Sequence, residues 1–285
     1  MTEGPTGDAA RKPTTLADLG PRLASGIVMI VLALGALYAG GPVFVAFWLV
    51  AGLAVHWEWQ RLIGGERQML RMALGGVVLV AVAALAGNAQ SDAALLSLLL
   101  GALAMAAVAS DGRRIWTAGG LLYAGALVLS VVVLRLSILG GFEAILWLFA
   151  IVWGTDVMAY FGGRLIGGAK LWPRVSPSKT WSGFLIGISS GALLGLAALS
   201  IYAVQIFPVP LILLGLLVGA ISQGGDLFES SLKRHFNVKD SSHLIPGHGG
   251  FMDRLDGFLA AASFAAAFGT MKAGAAAAAH GLFIW

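Results

Sequence analysis

Apolar residues run through this chain in blocks close to the ~20 residues that span a bilayer, separated by short polar or Gly/Pro breaks. The pattern predicts helices at roughly 23–39, 42–60, 72–88, 93–110, 118–138, 143–163, 181–204, 208–225 and 257–278. The expected fold is therefore an all-α polytopic integral membrane protein with about nine transmembrane helices. The first block is short and the last is Ala-rich, so eight or ten spans stay open. In the seventh block Gly183, Gly187, Gly191 and Gly195 recur every fourth residue. Such a stripe lets another helix approach closely, and it is read as packing. Ala275 to Ala279 is read as a low-complexity helix end.

Composition sharpens this picture. The chain is 58% hydrophobic and 11% charged, which leaves too little polar surface for a soluble domain of this length. It has no cysteine, which excludes disulfides, thiolate nucleophiles and cysteine-ligated zinc. Residues 1–22 form a polar tail with neither a cleavable signal peptide nor a transit peptide in it, although the first apolar block can serve as an uncleaved anchor.

Nine spans place 16 of the 18 basic residues on one side, leaving Arg135 and Lys272 near the other. Lys and Arg gather in cytosolic loops, so the expected topology is N-terminus in and C-terminus out. The expected location is the inner (cytoplasmic) membrane, multi-pass. The net charge of +4 then reads as topology and contact with anionic head groups. No basic-aromatic module accompanies it, so nucleic acid is not an expected partner. The organisation that follows is a tail at 1–22, about five helices over 23–140, and a C-terminal region at 141–285 with long cytosolic loops at 164–180 and 226–256.

Those loops hold the candidate chemistry. The 31 residues from Asp226 to Asp256 carry nine of the 32 charged side chains. If a helix continues from Asp226 to Arg234, then Asp226, Glu229, Ser230, Lys233 and Arg234 share one face. That face is either a solvated surface with i,i+4 ion pairs or a presented site. PGHGG at 246–250 signals a turn, where His248 either donates to a phosphate or holds the loop. Asp253 and Asp256 open the last span on one helix face, and antiparallel helices would bring Asp226 and Asp253 to the same depth. Carboxylates beside Lys and Arg are the ingredients of Mg²⁺-assisted phosphoryl or nucleotidyl transfer.

The other loop offers Lys170, Arg174, Lys179, Ser176, Ser178 and Thr180 just before a helix, either a helix cap or an anion site. It lacks a Gly-rich P-loop pattern. Asp156 lies inside the sixth span, where a carboxylate is costly and marks a functional position. Glu58, in HWEWQRL, is read as interfacial beside Trp57 and Trp59.

Taken together, S-x-L-K-R-x4-K-D…P-G-H-G-G-x-x-D-R-x-D, ending at Asp256, resembles the signature of the phosphatidate cytidylyltransferases, the CDP-diacylglycerol synthases. D-x-x-A-Y-x-x-G-R at Asp156 to Arg164, S-P-x-K-T-W at Ser176 to Trp181 and GDLFES at 225–230 join it. The likeness is dense from about 150 to 257 and loose over the N-terminal spans.

The resemblance implies transfer of a cytidylyl group from CTP to phosphatidate in the lipid bilayer, with Mg²⁺ and a companion K⁺. Asp226 and Asp253 would be metal ligands, and Ser230, Lys233 and Arg234 would bind phosphate. Ser231, Lys239, Asp240, His248, Arg254 and Asp256 belong to the same signature, while Asp156, Ser176, Lys179 and Thr180 would contact substrate. Ser182 stands where similar proteins carry Glu, so no acid role passes to it. A homodimer is expected as the assembly. Two rival readings are a CTP-dependent lipid kinase of the polyprenol type, which would release CDP, and a cation-coupled transporter, which would set its carboxylates at mid-membrane.

Overall fold

The computed structural model describes residues 16–109, 112–202, 207–245 and 249–285. The predicted polar tail as far as residue 15 lies outside these. The helices are α1 (Leu16–Ala39), α2 (Gly41–Ile63), α3 (Gln68–Gly87), α4 (Ser91–Val108), α5 (Arg114–Arg135), α6 (Gly141–Leu165), α7 (Trp181–Ser200), α8 (Pro208–His235), α9 (Met252–Ala273) and α10 (Ala278–Phe283). Seven of them, α2 to α8, are long and apolar enough to cross a bilayer; α9 and α10 taken as one bent span would make eight. The chain is a multi-pass membrane protein. Within α1, Ala24–Ala39 forms an apolar helix among the described residues.

The glycine stripe of α7 faces α6. A Cβ on Gly183 would lie 2.7 Å from Ala159 O, one on Gly187 2.8 Å from Thr155 O, and one on Gly191 2.7 Å from Ile151 O. Backbone therefore meets backbone from Gly183 to Gly191, as small-residue seams permit, while Gly195 faces the side chains of Ile151 and Trp147. Outside that pair, α8 packs between α7 and α9, and α2 to α5 form the other half of the bundle. The halves are joined by aromatics. Trp48 of α2 stacks on Phe258 of α9 with ring centroids 5.1 Å apart, and Phe149 of α6 lies against both.

Two local expectations change. The Ala-rich run does not extend the last helix: Gly274, at φ 78°, ends α9, and α10 turns away by 113°. Gly269 and Gly281 allow this tight return, because a Cβ on either would strike the backbone of the other arm. In the 164–180 loop, β1 (Lys170–Trp172) and β2 (Ser176–Thr180) pair antiparallel, with Lys170 opposite Thr180 and Trp172 opposite Ser176. The stretch from Asp226 to His235 is helical and continues α8 without a break.

Candidate active site

The site begins where α8 crosses α9. A Cβ on Gly225 would lie 2.6 Å from Asp256 O, and one on Gly257 2.7 Å from Ser222 Oγ. Each glycine precedes or follows an acid, so the close crossing sets Asp226 and Asp256 side by side. The expected level pairing thus shifts by one turn: Asp226 lies level with Asp256, while Asp253 lies level with Lys233 and Glu229 further along α8.

The hairpin delivers Lys179 to this crossing. Thr180 caps α7 by accepting the Gly183 N–H at 3.1 Å, an ordinary N-cap, and this fixes the residue before it. Lys179 Nζ stands 2.6 Å from Asp226 Oδ2 and 3.0 Å from Gln223 Oε1. Gln223 passes its own N–H to Asp156 Oδ1 at 3.0 Å. Two carboxylates are thereby linked through one amide and one ammonium. Ser230 Oγ donates to Asp226 Oδ1 at 3.3 Å.

A second cluster holds Lys233, whose ammonium lies 2.6 Å from Glu229 Oε2 and 2.5 Å from Asp253 Oδ1. The other Asp253 oxygen accepts from Ser241 N at 3.0 Å, Ser241 Oγ at 2.9 Å and Gly250 N at 2.8 Å. Gly249, at φ 83°, turns the chain so that Gly250 N faces this carboxylate. A bridge pairs Ile245 with Gly249; Pro246, Gly247 and His248 lie outside the described residues.

Glu58 has partners the sequence reading did not name. Its carboxylate is fully buried, and it accepts from Ser242 Oγ at 2.6 Å, Met252 N at 2.7 Å, Phe251 N at 2.8 Å and Ser241 Oγ at 3.0 Å. An acid of α2 thus caps α9. No local pattern around Glu58 signals partners about two hundred residues away. Gln223 was equally silent, standing three residues before Asp226 on α8 with no motif of its own. Ser182 Oγ contacts Thr180 Oγ1 at 3.0 Å and also donates to Gly167 O, so it serves the hairpin's return.

Both clusters open into a cavity of about 1060 Å³. Asp156, Lys179, Thr180, Asp226, Lys233, Asp240, Asp253, Arg254 and Asp256 line it, whereas Ser176, Ser230, Ser231, Arg234 and Lys239 are not among its lining residues. Ser231, Arg234 and Lys239 are exposed, and Arg234 Nη1 donates to Val238 O at 3.4 Å. Apolar side chains line the same cavity, among them Met29 and Ile30 of α1, Phe47 and Val50 of α2, and Trp153 and Val157 of α6. A compartment lined by both charged and hydrocarbon groups suits an amphiphile with an anionic head group.

Comparison with known proteins agrees with this chemistry. The Cytidylyltransferase family matches residues 21–271, and the chain belongs to that family. Among its relatives, the phosphatidate cytidylyltransferase of Brucella abortus (strain 2308) is 38% identical over 260 residues, covering 90% of this chain and 96% of the relative. That of Pseudomonas aeruginosa is 36% identical over 255 residues, covering 85% and 94%. That of Staphylococcus aureus (strain COL) is 47% identical over 121 residues, covering 42% and 46%.

Proposed function

We propose that this protein transfers the cytidylyl group of CTP to phosphatidate, releasing CDP-diacylglycerol and pyrophosphate. The observation that carries the reading is the cavity, in which acids and ammonium groups share one space with an apolar wall, in a chain whose relatives bear the name of that activity.

A phosphatidate phosphate oxygen is already anionic, so its attack on the α-phosphorus needs little help from a base. The demands are in-line placement and neutralisation of charge as the α–β phosphate bond breaks. Acyl chains resting on the α1, α2 and α6 wall would hold the head group at the α8/α9 crossing. Lys179, Lys233 and Arg254, all on the cavity wall, would neutralise the phosphates. Glu229 and Asp253 hold the Lys233 ammonium in place between them.

The donors also fit the implied metal. Among the described residues lining the cavity they are carboxylate, amide and hydroxyl oxygens, with no imidazole or thiolate. Among the described residues no three acidic or histidine side chains gather closely enough to enclose a cation. Mg²⁺ takes one or two carboxylates and completes its shell with water and phosphate, so Asp226 and Asp253 would hold it, with Asp256 beside Asp226. When bound, the ion would supply charge neutralisation on the triphosphate. A companion K⁺, a homodimer, nine crossings with the N-terminus inside, and a cytosol-facing site in the cytoplasmic membrane complete the proposal. The 16 basic residues gathered on one side of a nine-span chain support its orientation.

The test is incubation of purified protein with phosphatidate, Mg²⁺ and each nucleoside triphosphate, following lipid product and pyrophosphate together. CDP-diacylglycerol with equimolar pyrophosphate is expected for CTP. Release of CDP with a phosphorylated lipid would instead identify a kinase.

A further inference from the structure

We infer that Glu58 is a positioning residue for the reactive cavity, acting from α2 through Ser241 on the Asp253 carboxylate. Four donors surround it at 2.6 to 3.0 Å, and all belong to the two ends of one turn, Ser241 and Ser242 before PGHGG and Phe251 and Met252 after it. The first N–H groups of a helix have no partner within it and carry its positive end. Glu58 meets that need at the start of α9 from another helix, leaving Asp253 free to face Lys233 and the turn.

Two further observations point the same way. Ser241 Oγ lies 3.0 Å from Glu58 Oε2 and 2.9 Å from Asp253 Oδ2. It has one proton, so the two acids share it, and a change at Glu58 alters what Asp253 receives. Gly250 is also shaped by this pair: a Cβ there would strike Ser241 Oγ and lie 2.5 Å from Glu58 Oε1. The last glycine of PGHGG thus leaves the space in which hydroxyl and carboxylate meet, while its N–H is spent on Asp253. Glu58 is not among the residues lining the cavity, so its path to the site runs through Ser241 and Asp253.

The inference rests on the proposed activity for its kinetic readout alone. The experiment compares wild type, E58Q, S241A and the double variant in detergent micelles, measuring unfolding temperature, kcat, KM for CTP, and hydrogen exchange across residues 241–252. For E58Q, kcat is expected to fall about tenfold or more, as misplacement of a reacting group by a fraction of an ångström would cause. KM for CTP should stay nearly unchanged, and the Phe251 and Met252 amides should exchange faster. The double variant should be no worse than the weaker single variant, because both break one path. A normal kcat per folded molecule, or losses that multiply in the double variant, overturns the inference. If E58Q does not fold, S241A decides: a wild-type kcat there overturns it. If wild type makes no CDP-lipid, the proposed function fails, and exchange across 241–252 still decides the role of Glu58.

Discussion

The Lys179 ammonium sits 2.6 Å from the Asp226 carboxylate, so a short hairpin and a membrane helix meet in one ion pair on the cavity wall. The pair is partly open to solvent, and such contacts contribute at most about 1 kcal/mol to stability. Its value lies in placement: Lys179 is held by Thr180 capping α7 on one side and by Gln223 on the other. Lys179→Met should therefore leave the unfolding temperature almost unchanged while lowering CDP-lipid formation about a hundredfold, the scale of losing one preorganised charge contact. Steady-state kinetics beside a thermal melt checks this, and turnover near wild type would remove Lys179 from the site.

Asp253→Asn tests the second cluster. Asn preserves the shape and one accepting oxygen, so the Ser241 and Gly250 contacts can survive. It removes the charge 2.5 Å from Lys233 and sets an amide where a cation would bind. CDP-lipid formation should fall below detection while the protein still elutes as a folded species from a sizing column. Undiminished turnover would sink the assignment of Asp253 as a ligand.

The contrast between these two acids and Glu58 shows what was legible in the sequence. Asp226 and Asp253 stand in a charged stretch between apolar blocks, so their local density marked them. Helix positions were readable for the same reason, since a bilayer demands long apolar runs and the breaks between them are polar. The α7 stripe was readable because period-four glycine has few other uses. Glu58, in HWEWQRL near the end of α2, and Gln223, three residues before Asp226 on α8, take their meaning from partners far away in the chain. The hairpin at 170–180 and the turn at Gly274 were hidden too, one by a proline-containing strand and one by alanines that favour helix wherever they stand.

Gly191→Ala should destabilise the protein, because its Cβ would press on Ile151 O at 2.7 Å and neither helix backbone can yield alone. Overpacking of this kind costs about 1–3 kcal/mol. Gly35→Ala in α1 is the matched control, with nothing within 4 Å of its Cβ and better helix propensity. Thermal unfolding in one detergent should fall for the first and hold or rise for the second. Equal effects would mean that the α6/α7 seam is looser than its geometry.

The proposed orientation can be tested on this chain directly, because it has no cysteine of its own. Arg113 Nε donates to Ile63 O at 2.9 Å, which puts the α2/α3 turn at the same end of the bundle as the start of α5. His235 stacks on Trp116 with centroids 4.9 Å apart, so that end is also the end that carries the reactive turn. The α5/α6 turn lies at the far end, where Ile138 N donates to Ala276 O at 3.0 Å. Glu66 and Leu139 are exposed on these two turns. The proposed orientation puts the Glu66 side, where Lys and Arg concentrate, in the cytosol. In whole cells, Leu139→Cys should therefore react with a membrane-impermeant maleimide, and Glu66→Cys should react only after permeabilisation. The reverse labelling pattern would turn the protein over, placing the reactive cavity on the side that CTP does not reach.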